Sequence, residues 1–192
     1  FTDIKESWRF DAEYYQPIYE QIVQHIAKYP QGCDTIGNLF FIKDRNYIPI
    51  PDKTYQYIEL SNIGSDGSIT GHTETLGDNL PSRARRIVHS GDIIVSSLEG
   101  SLQSCALISD EYDNAICSTG FYVLSPKNIN AETALVLFKS QLIQSLMARA
   151  CSGSIMAAMS TSEFANIKLP KIDDQTQIQI KKIIQESTVL KK

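Results

Sequence analysis

Apolar residues first recur at helical spacing near the N-terminus of the chain. They occupy Tyr15, Ile18, Tyr19, Ile22 and Ile26. Positions three and four apart share one face of a helix, so this spacing predicts an amphipathic helix over residues 11–29. Asp11 is placed to cap its start, and Pro30 is placed to end it.

From residue 33 to residue 125 the pattern changes to short apolar or alternating runs, which are typical of strands. The runs cover residues 39–43, 55–60, 68–71, 86–88, 92–98, 104–109 and 115–124. Turn-forming residues separate several of them, at residues 64–67, 90–91 and 113–114. This many short strands, joined by such turns, predicts a β-rich, partly closed sheet.

Helical spacing returns after residue 130. It is carried by Leu135, Phe138, Leu142 and Leu146, and it predicts a helix over residues 131–151. Beyond this helix, Thr161 or Ser162 is placed to cap a short helical turn. Residues 167–169 then predict a last strand.

A final amphipathic segment begins at Asp173 and Asp174, where carboxylates favour a helix N-terminus. Its apolar stripe comprises Ile180, Ile183, Ile184 and Leu190. The stripe is shorter than the roughly three heptads that indicate a coiled coil. We therefore predict an α+β fold, with a β-rich domain and flanking helices over residues 1–170. Residues 171–192 are predicted to form a C-terminal helix that begins a coiled-coil-like spacer.

Composition and charge add limits to this picture. The chain has 42% hydrophobic and 21% charged residues, as in an ordinary globular protein. It contains no apolar run of about 18 residues, so no membrane span or membrane partner is expected. The net charge of −4 argues mildly against nucleic acid, because phosphate binding usually leaves a basic surface. A local basic patch is sufficient for a module that works within a larger assembly.

Little in the sequence suggests catalysis. The four cysteines are widely spaced, so we predict no metal site and no disulfide framework, but reduced thiols in the cytoplasm. No two prolines are adjacent, which excludes the Asn/Asp-Pro-Pro-Tyr/Phe motif of adenine methyltransferases. We predict no catalytic residue. A hydrolase that uses Ser154 or Cys151 is a minor alternative, because neither has a base adjacent in sequence.

Several short blocks, in a fixed order, carry a family resemblance. Gly-Asp-Ile-Ile-Val-Ser occupies residues 91–96, Ser-Thr-Gly-Phe-Tyr-Val-Leu residues 118–124 and Ser-Gly-Ser-Ile-Met residues 152–156. Arg-Phe-Asp-Ala-Glu-Tyr-Tyr-Gln-Pro precedes them at residues 9–17. Together they resemble the target-recognition domain of the specificity subunit of type I restriction–modification systems. The related C-terminal recognition domain of a fused restriction–methyltransferase enzyme is similar.

The resemblance implies a module that recognises a sequence in double-stranded DNA and does no chemistry itself. It implies that this module directs a partner adenine methyltransferase, as a subunit or a fused domain, and an endonuclease to the target. S-adenosylmethionine, Mg²⁺ and ATP would belong to those partners, with no cofactor in this chain. Three arrangements stay open: half of a subunit, a half-length subunit that pairs with a second copy, or a domain of a fused enzyme.

The strongest electrostatic feature is a cluster of three arginines, Arg83, Arg85 and Arg86. Such a cluster is either a solvated surface or a phosphate clamp, because the guanidinium fork matches phosphate and guanine edges. The family resemblance favours the clamp. A second DNA-binding candidate is the polar run with Lys43, Arg45 and Asn46, since asparagine pairs with adenine in the major groove.

Weaker DNA-binding candidates lie in two loops that follow predicted strands. For Ser61 and Asn62 a simple turn is the favoured interpretation. Glu99 and Ser101 lie among small residues, which either allow a ligand to approach the backbone or form an ordinary hairpin. The resemblance implies a basic residue in this loop. An acidic Glu99 would instead accept a hydrogen bond from cytosine N4.

The remaining candidates lie near the C-terminus. Ser152 and Ser154 belong either to a loop that holds a phosphate with backbone amides or to a simple helix stop. The apolar stripe of the last helix, Ile180, Ile183, Ile184 and Leu190, is the candidate partner-docking surface. The competing hypothesis is a protein-interaction scaffold whose sheet binds no DNA, and the acidic balance favours it.

Overall fold

The computed structural model describes residues 12–151 and 158–190. Its helices are α1 (Pro17–Ala27), α2 (Ile36–Leu39), α3 (Ala131–Lys139), α4 (Gln141–Cys151), α5 (Thr161–Asn166) and α6 (Asp174–Leu190). Its strands are β1 (Cys33–Thr35), β2 (Phe40–Lys43), β3 (Thr54–Ile58), β4 (Thr73–Leu76), β5 (Ala84–Ile87), β6 (Ile93–Ser96), β7 (Cys105–Leu107), β8 (Ile116–Ser118), β9 (Phe121–Pro126) and β10 (Lys168–Pro170). The α+β prediction is confirmed.

The strands form three sheets, and the prediction of a single partly closed sheet was wrong. The inner sheet has the order β2-β9-β6-β7, and the outer sheet has the order β4-β3-β8-β5. Strands β1 and β10 form a separate antiparallel pair. The run at 115–124 was predicted as one strand, but the chain turns at Thr119 and Gly120. As a result β8 joins the outer sheet and β9 joins the inner sheet.

The main hydrophobic core lies between the helices and the inner sheet. Successive residues of β6 point to opposite faces, so Ile93 and Val95 join this core while Ile94 faces the outer sheet. All four residues of β6 are buried. A second cluster, which includes Ile58 and Cys117, fills the space between the two sheets. The helices and the outer sheet thus cover the inner sheet on both faces.

Two predicted helices are each interrupted in the structure, and the first, predicted over residues 11–29, ends as an α-helix at Ala27. Pro17 occupies the first position of α1, since proline has no N–H to donate there, and a short 3-10 helix precedes it. The predicted cap Asp11 lies outside the described residues. The predicted helix over 131–151 is two helices, because Ser140 is extended (φ −69°, ψ 142°) and its hydroxyl donates to Leu137 O.

Side-chain caps fix three helix starts. Asn130 Oδ1 accepts from Thr133 N at the start of α3. Ser160, rather than the predicted Thr161 or Ser162, caps α5 by accepting from Glu163 N. Asp173 accepts from the backbone and hydroxyl of Thr176 at the start of α6, and these hydrogen bonds lower the pKa of Asp173.

The C-terminal helix α6 lies against α3. Gln177 is buried, and its side-chain oxygen accepts from Asn130 N at 2.8 Å. One turn before its end, Gln185 donates to Glu132 at 3.2 Å. The division of the chain at residue 170 stays a prediction. None of the helices in the described part of the chain has the length and apolar character that a membrane span requires.

Candidate nucleic-acid interface

Loops from three strands meet at Gly120. The N–H and hydroxyl of Ser97, which follows β6, both donate to Gly120 O, at 2.9 and 3.0 Å. A Cβ atom on Gly120 would lie 3.6 Å from Leu98 Cδ1 and 3.9 Å from Leu60 Cδ1. The loops after β3, β6 and β8 therefore lie side by side at one end of the molecule, here called the Gly120 end.

Arg83 joins the Gly120 end through its backbone. Thr119 N donates to Arg83 O at 2.8 Å, just before β5 begins. The Arg83 side chain is exposed, whereas Ala84 is fully buried. Burial chiefly raises the pKa of the neighbouring Tyr57, and the positive charge of Arg83 opposes that rise.

A register shift in β5 separates the three clustered arginines. Ala84 pairs with Ser118 and Arg86 pairs with the adjacent Cys117, which is buried, so Arg85 is an extra residue in β5. An extra residue of this kind redirects the side chains around it. Arg85 is half-buried, and its guanidinium donates to Ala84 O at 3.1 Å. Arg86 is turned toward the interior: its Nε and Nη1 are shielded from solvent and have no hydrogen-bond partner among the described residues.

The loop over residues 44–53 lies along the exposed edge of β5. Tyr47 N donates to Arg85 O at 2.7 Å. The hydroxyls of Tyr47 and Tyr55 lie 2.9 Å apart, and Ile50 N donates to the Tyr55 hydroxyl at 3.1 Å. The hydrogen bond with Tyr55, with burial second, raises the pKa of Tyr47. These contacts fix the loop on both sides of residue 48.

The positive and amide side chains of this loop and of residues 83–85, two segments that the hydrogen bond from Tyr47 N to Arg85 O joins, are here called the arginine face. It consists of Arg45, Asn46, Lys53, Arg83 and Arg85. Within 12–151 and 158–190, none of its three arginines forms an ion pair. Lys53 Nζ lies 5.0 Å from the centre of the Tyr55 ring. Exposed carboxylates of the same loops, Asp44, Asp52 and Asp78, reduce the local positive field.

Lys43, a predicted DNA contact, has a different environment. Its ammonium group lies 2.7 and 2.9 Å from the carboxylate oxygens of Asp92, which is nearly fully buried. His89 N and the Ser125 hydroxyl donate to the same carboxylate. The positive charge of Lys43 therefore neutralises a buried anion. Arg86, with two enclosed nitrogens, is likewise not presented on the arginine face.

The weaker predicted contacts lie at the Gly120 end. Ser61 donates to Glu59 at 2.9 Å, and Asn62 Oδ1 accepts from Glu59 N, as in the turn that was the favoured interpretation. Glu99 is exposed in a short 3-10 helix, and the hydroxyl of Ser101 lies 2.9 Å from that of Ser96. DNA contact by these residues stays a prediction.

Ser152 and Ser154 lie outside the described residues, but the chain on either side of them is described. Met159 N donates to Ser97 O at 2.9 Å, and Ala158 pairs with Leu98. The Cys151 thiol lies 3.9 Å from the same Ser97 oxygen. Both flanks of residues 152–157 are therefore at the Gly120 end, beside the loop that carries Glu99.

The described residues offer little for catalysis. They contain no group of three or more His, Cys, Asp or Glu side chains that could hold a metal ion. Burial raises the pKa of Cys105 to about 11 and raises that of Cys117 as well. Neither thiol is therefore ionised near neutral pH, and thiolate is the reactive form.

The apolar stripe of α6 is divided between two environments. Ile180 and Ile184 are half-buried against the body of the protein. Ile183 and Leu190 are 63% and 87% exposed. Ile178, which was not predicted to belong to the docking surface, is 67% exposed. The side of α6 that faces away from the body is thus partly apolar.

Sequence reasoning missed Lys53 of the arginine face and Ile48 on the same loop. Lys53 is a lone cation between predicted strands, so nothing in its neighbourhood distinguishes it. Ile48 is 85% exposed, which is unusual for an isoleucine in a fixed loop. A signal for Ile48 was present, because isoleucine alternates with proline in the sequence Tyr-Ile-Pro-Ile-Pro at residues 47–51.

A family model described as the type I restriction modification DNA specificity domain matches residues 35–188. The chain therefore belongs to this family, and the prediction from the sequence blocks is confirmed. The family is that of the non-catalytic specificity subunit, which supports a DNA-recognition module and the prediction that the chain is not an enzyme.

Two solved structures share this fold, each with a TM-score of 0.69. One is the HsdS subunit from Thermoanaerobacter tengcongensis, which is 28% identical, with 84% of this chain covered. The other, from work on complex assembly and conformational transition of the type I R-M system, is 26% identical, with 85% covered. The chain spans 43% of the length of either structure. No curated protein sequence matches it significantly.

Proposed function

We propose that this chain recognises a specific sequence in double-stranded DNA through its arginine face and the Gly120 end. The observation that carries the proposal is the set of three arginines, Arg45, Arg83 and Arg85, without ion pairs on one surface. Arginine presents a rigid fork of donors, which suits phosphates and the O6/N7 edge of guanine. The loops gathered at the Gly120 end would then approach the base edges.

The two parts of this surface have separate roles in the proposal. Contacts to phosphate fix the register of the protein on the duplex, and contacts to base edges select the sequence. The three arginines and Lys53 supply charge for phosphates. Asn46 presents an amide that suits adenine, and the exposed Glu99 presents a carboxylate that suits cytosine N4. Ser61 and Asn62 are weaker candidates, because their side chains already bond within a turn.

The chain positions partners rather than reacting itself. A partner adenine methyltransferase would take the target base out of the helix and methylate it, and an endonuclease would be directed to the same target. S-adenosylmethionine, Mg²⁺ and ATP would serve those partners. The exposed side of α6, with Ile183 and Leu190, is the proposed docking surface for a partner or for a second recognition domain.

The proposed function is tested with the intact polypeptide that carries this sequence. It is incubated with a library of randomised duplexes, and the bound DNA is sequenced. We expect one enriched sequence motif. The variant Arg45→Ala, Arg83→Ala, Arg85→Ala should lose the enrichment, and the charge-matched variant Lys28→Ala, Lys168→Ala, Lys181→Ala should keep it. Circular dichroism checks that both variants are folded.

Two results would contradict the proposal. A parent protein that enriches no sequence, with or without its methyltransferase, would favour the protein-interaction scaffold. Equal loss of enrichment in both triple variants would show that total charge, and not the arginine face, governs DNA binding. Adding the methyltransferase with labelled S-adenosylmethionine then tests the partner role, because methyl transfer should concentrate at the enriched sequence.

A further inference from the structure

The loop over residues 44–53 presents an isoleucine to solvent between fixed points. Ile48 is 85% exposed, whereas Tyr47 and Pro49 on either side are half-buried. The exposed positions alternate, so Asn46, Ile48 and Ile50 share the outward side of the loop. Ile50 is also 55% exposed.

The position of Ile48 is held from both sides. On one side, Tyr47 N donates a hydrogen bond to Arg85 O at 2.7 Å. On the other, Ile50 N donates a hydrogen bond to the Tyr55 hydroxyl at 3.1 Å. A side chain on a fixed loop loses little conformational entropy when it binds. The surface therefore presents an apolar group that is already in place for a ligand.

The charged surroundings of Ile48 select the type of ligand. Arg45 and Arg85 flank its loop without ion pairs among the described residues, and Lys53 lies on the following turn. Ile48 and Ile50 therefore lie among three cations that form no ion pair with a described residue, with the exposed Asp44 and Asp52 on the same loop. Duplex DNA offers phosphates for those cations, and it offers one apolar group on the edge of a base in the major groove, the 5-methyl group of thymine.

We propose that Ile48 reads the 5-methyl group of a thymine in the DNA target. This inference rests on the proposed function and adds to it a residue that determines specificity. Asn46 lies on the same side of the loop two residues earlier and has the amide that pairs with adenine. The pair Asn46 and Ile48 would then favour an A·T pair or adjacent A·T pairs within the target.

The test removes the methyl group from the DNA and the isoleucine from the protein in separate steps. The duplex enriched by the intact polypeptide is resynthesised with each thymine replaced in turn by deoxyuridine, which keeps its base pairing. Burial of one methyl group corresponds to a factor of about four in affinity. We expect one position where deoxyuridine weakens binding by about four-fold in the parent protein.

The variants of the test assign that loss to one side chain. In Ile48→Ala the thymine and deoxyuridine duplexes should bind equally, and Ile48→Val should keep most of the difference. Ile18→Ala, which shortens an exposed isoleucine on α1, should behave as the parent. Because Ile48 is so exposed, its truncation leaves the fold intact.

The outcomes separate this inference from the proposed function. If a sequence is enriched but no deoxyuridine position discriminates, or Ile48→Ala keeps the discrimination, the role of Ile48 is wrong and DNA recognition stands. If Ile48→Ala weakens binding to thymine and deoxyuridine duplexes equally, Ile48 acts without the methyl group, which also overturns the inference. A parent protein that enriches no sequence overturns both.

Discussion

The inner and outer sheets have four strands each, but they are covered differently. Strand β6 of the inner sheet is buried at every residue, with helices on one face and the outer sheet on the other. In the outer sheet, three of the four residues of edge strand β4 are exposed, and the other edge strand, β5, carries Arg85. The inner sheet therefore stabilises the fold, whereas the edge strands of the outer sheet carry side chains that reach solvent.

The positive charges follow the same division. Near the helices and the inner sheet, lysines form ion pairs between distant segments: Lys43 binds the buried Asp92, and Lys171 lies 3.2 Å from Asp34. Lys139 donates to two loop carbonyls at 3.0 and 2.8 Å. On the arginine face, by contrast, the arginines make no ion pair with a described carboxylate. A count of charges in the sequence does not show this difference, because it gives every cation the same weight.

The largest effect on stability is expected when a buried aromatic ring is removed from the core between the inner sheet and the helices. The Phe164 ring is fully buried and lies 4.3 Å from the Tyr122 ring, centre to centre. Phe164→Ala should lower the free energy of unfolding by about 3–5 kcal/mol, measured by urea denaturation. The control Phe41→Ala removes a ring that is 63% exposed, and it should cost about 1 kcal/mol or less. Similar costs for the two variants would contradict the division between core and surface.

A smaller loss is expected when Asp92 is left unpaired. Lys43→Met removes the cation from a buried carboxylate, and the cost should be about 1–3 kcal/mol, because Lys43 itself is partly exposed. The salt dependence of DNA binding should not change. Lys53→Met is the matched control: little loss of stability is expected, but a weaker salt dependence. The reverse pattern would show that Lys43 contacts phosphate after all.

Gly77 tests whether the loop over residues 44–53 must be held in place. A Cβ atom there would lie 2.0 Å from Ile50 O, so Gly77→Ala must displace the loop. We expect a cost in stability of about 1–2 kcal/mol and a clear loss of preference for the enriched DNA sequence. Gly37→Ala places its methyl group 3.4 Å or more from Ala165 and should change neither property. An unchanged sequence preference in Gly77→Ala would mean that the loop does not read bases.

The smallest effect on stability is expected on α6. Ile183→Asp with Leu190→Asp changes two exposed side chains and should alter the free energy of unfolding by less than about 0.5 kcal/mol. Association with a partner or a second copy should be lost, as light scattering would show. Ile184→Asp, at a half-buried position, should be more destabilising. Collapse of the fold in the double variant would show that these residues belong to the core.

The positions of helices and strands could be predicted from the sequence more completely than the pairing of the strands. The last helix was predicted where α6 lies, since its spacing and its Asp173 cap are local signals. Strands β1 and β4 were missed because they are short and largely polar. The run at 68–71 makes only an isolated pairing, Ile63 with Ile69. The predicted strand at 115–124 is divided at Gly120 between the two sheets. This division depends on pairing with strands that are distant in sequence.

The candidate site was predictable in composition but not in geometry. Arg45 and Arg85 are far apart in sequence, and one hydrogen bond between Tyr47 and the backbone of Arg85 brings their segments together. The register shift in β5, which turns Arg86 inward, leaves no mark on the sequence. The pairing of Lys43 with Asp92 is not encoded locally, because β9, which lies between β2 and β6 in the inner sheet, brings the two residues together.

The central claim is that the three arginines of the arginine face, which form no ion pair with a described residue, contact DNA phosphates. The direct measurement is the slope of log affinity against log salt concentration, for the parent and for Arg45→Ala, Arg83→Ala, Arg85→Ala. Each lost phosphate contact should reduce the slope by about one unit, so we predict a reduction of about three. The matched variant Lys28→Ala, Lys168→Ala, Lys181→Ala should keep the parental slope. An unchanged slope in the arginine variant would contradict the account.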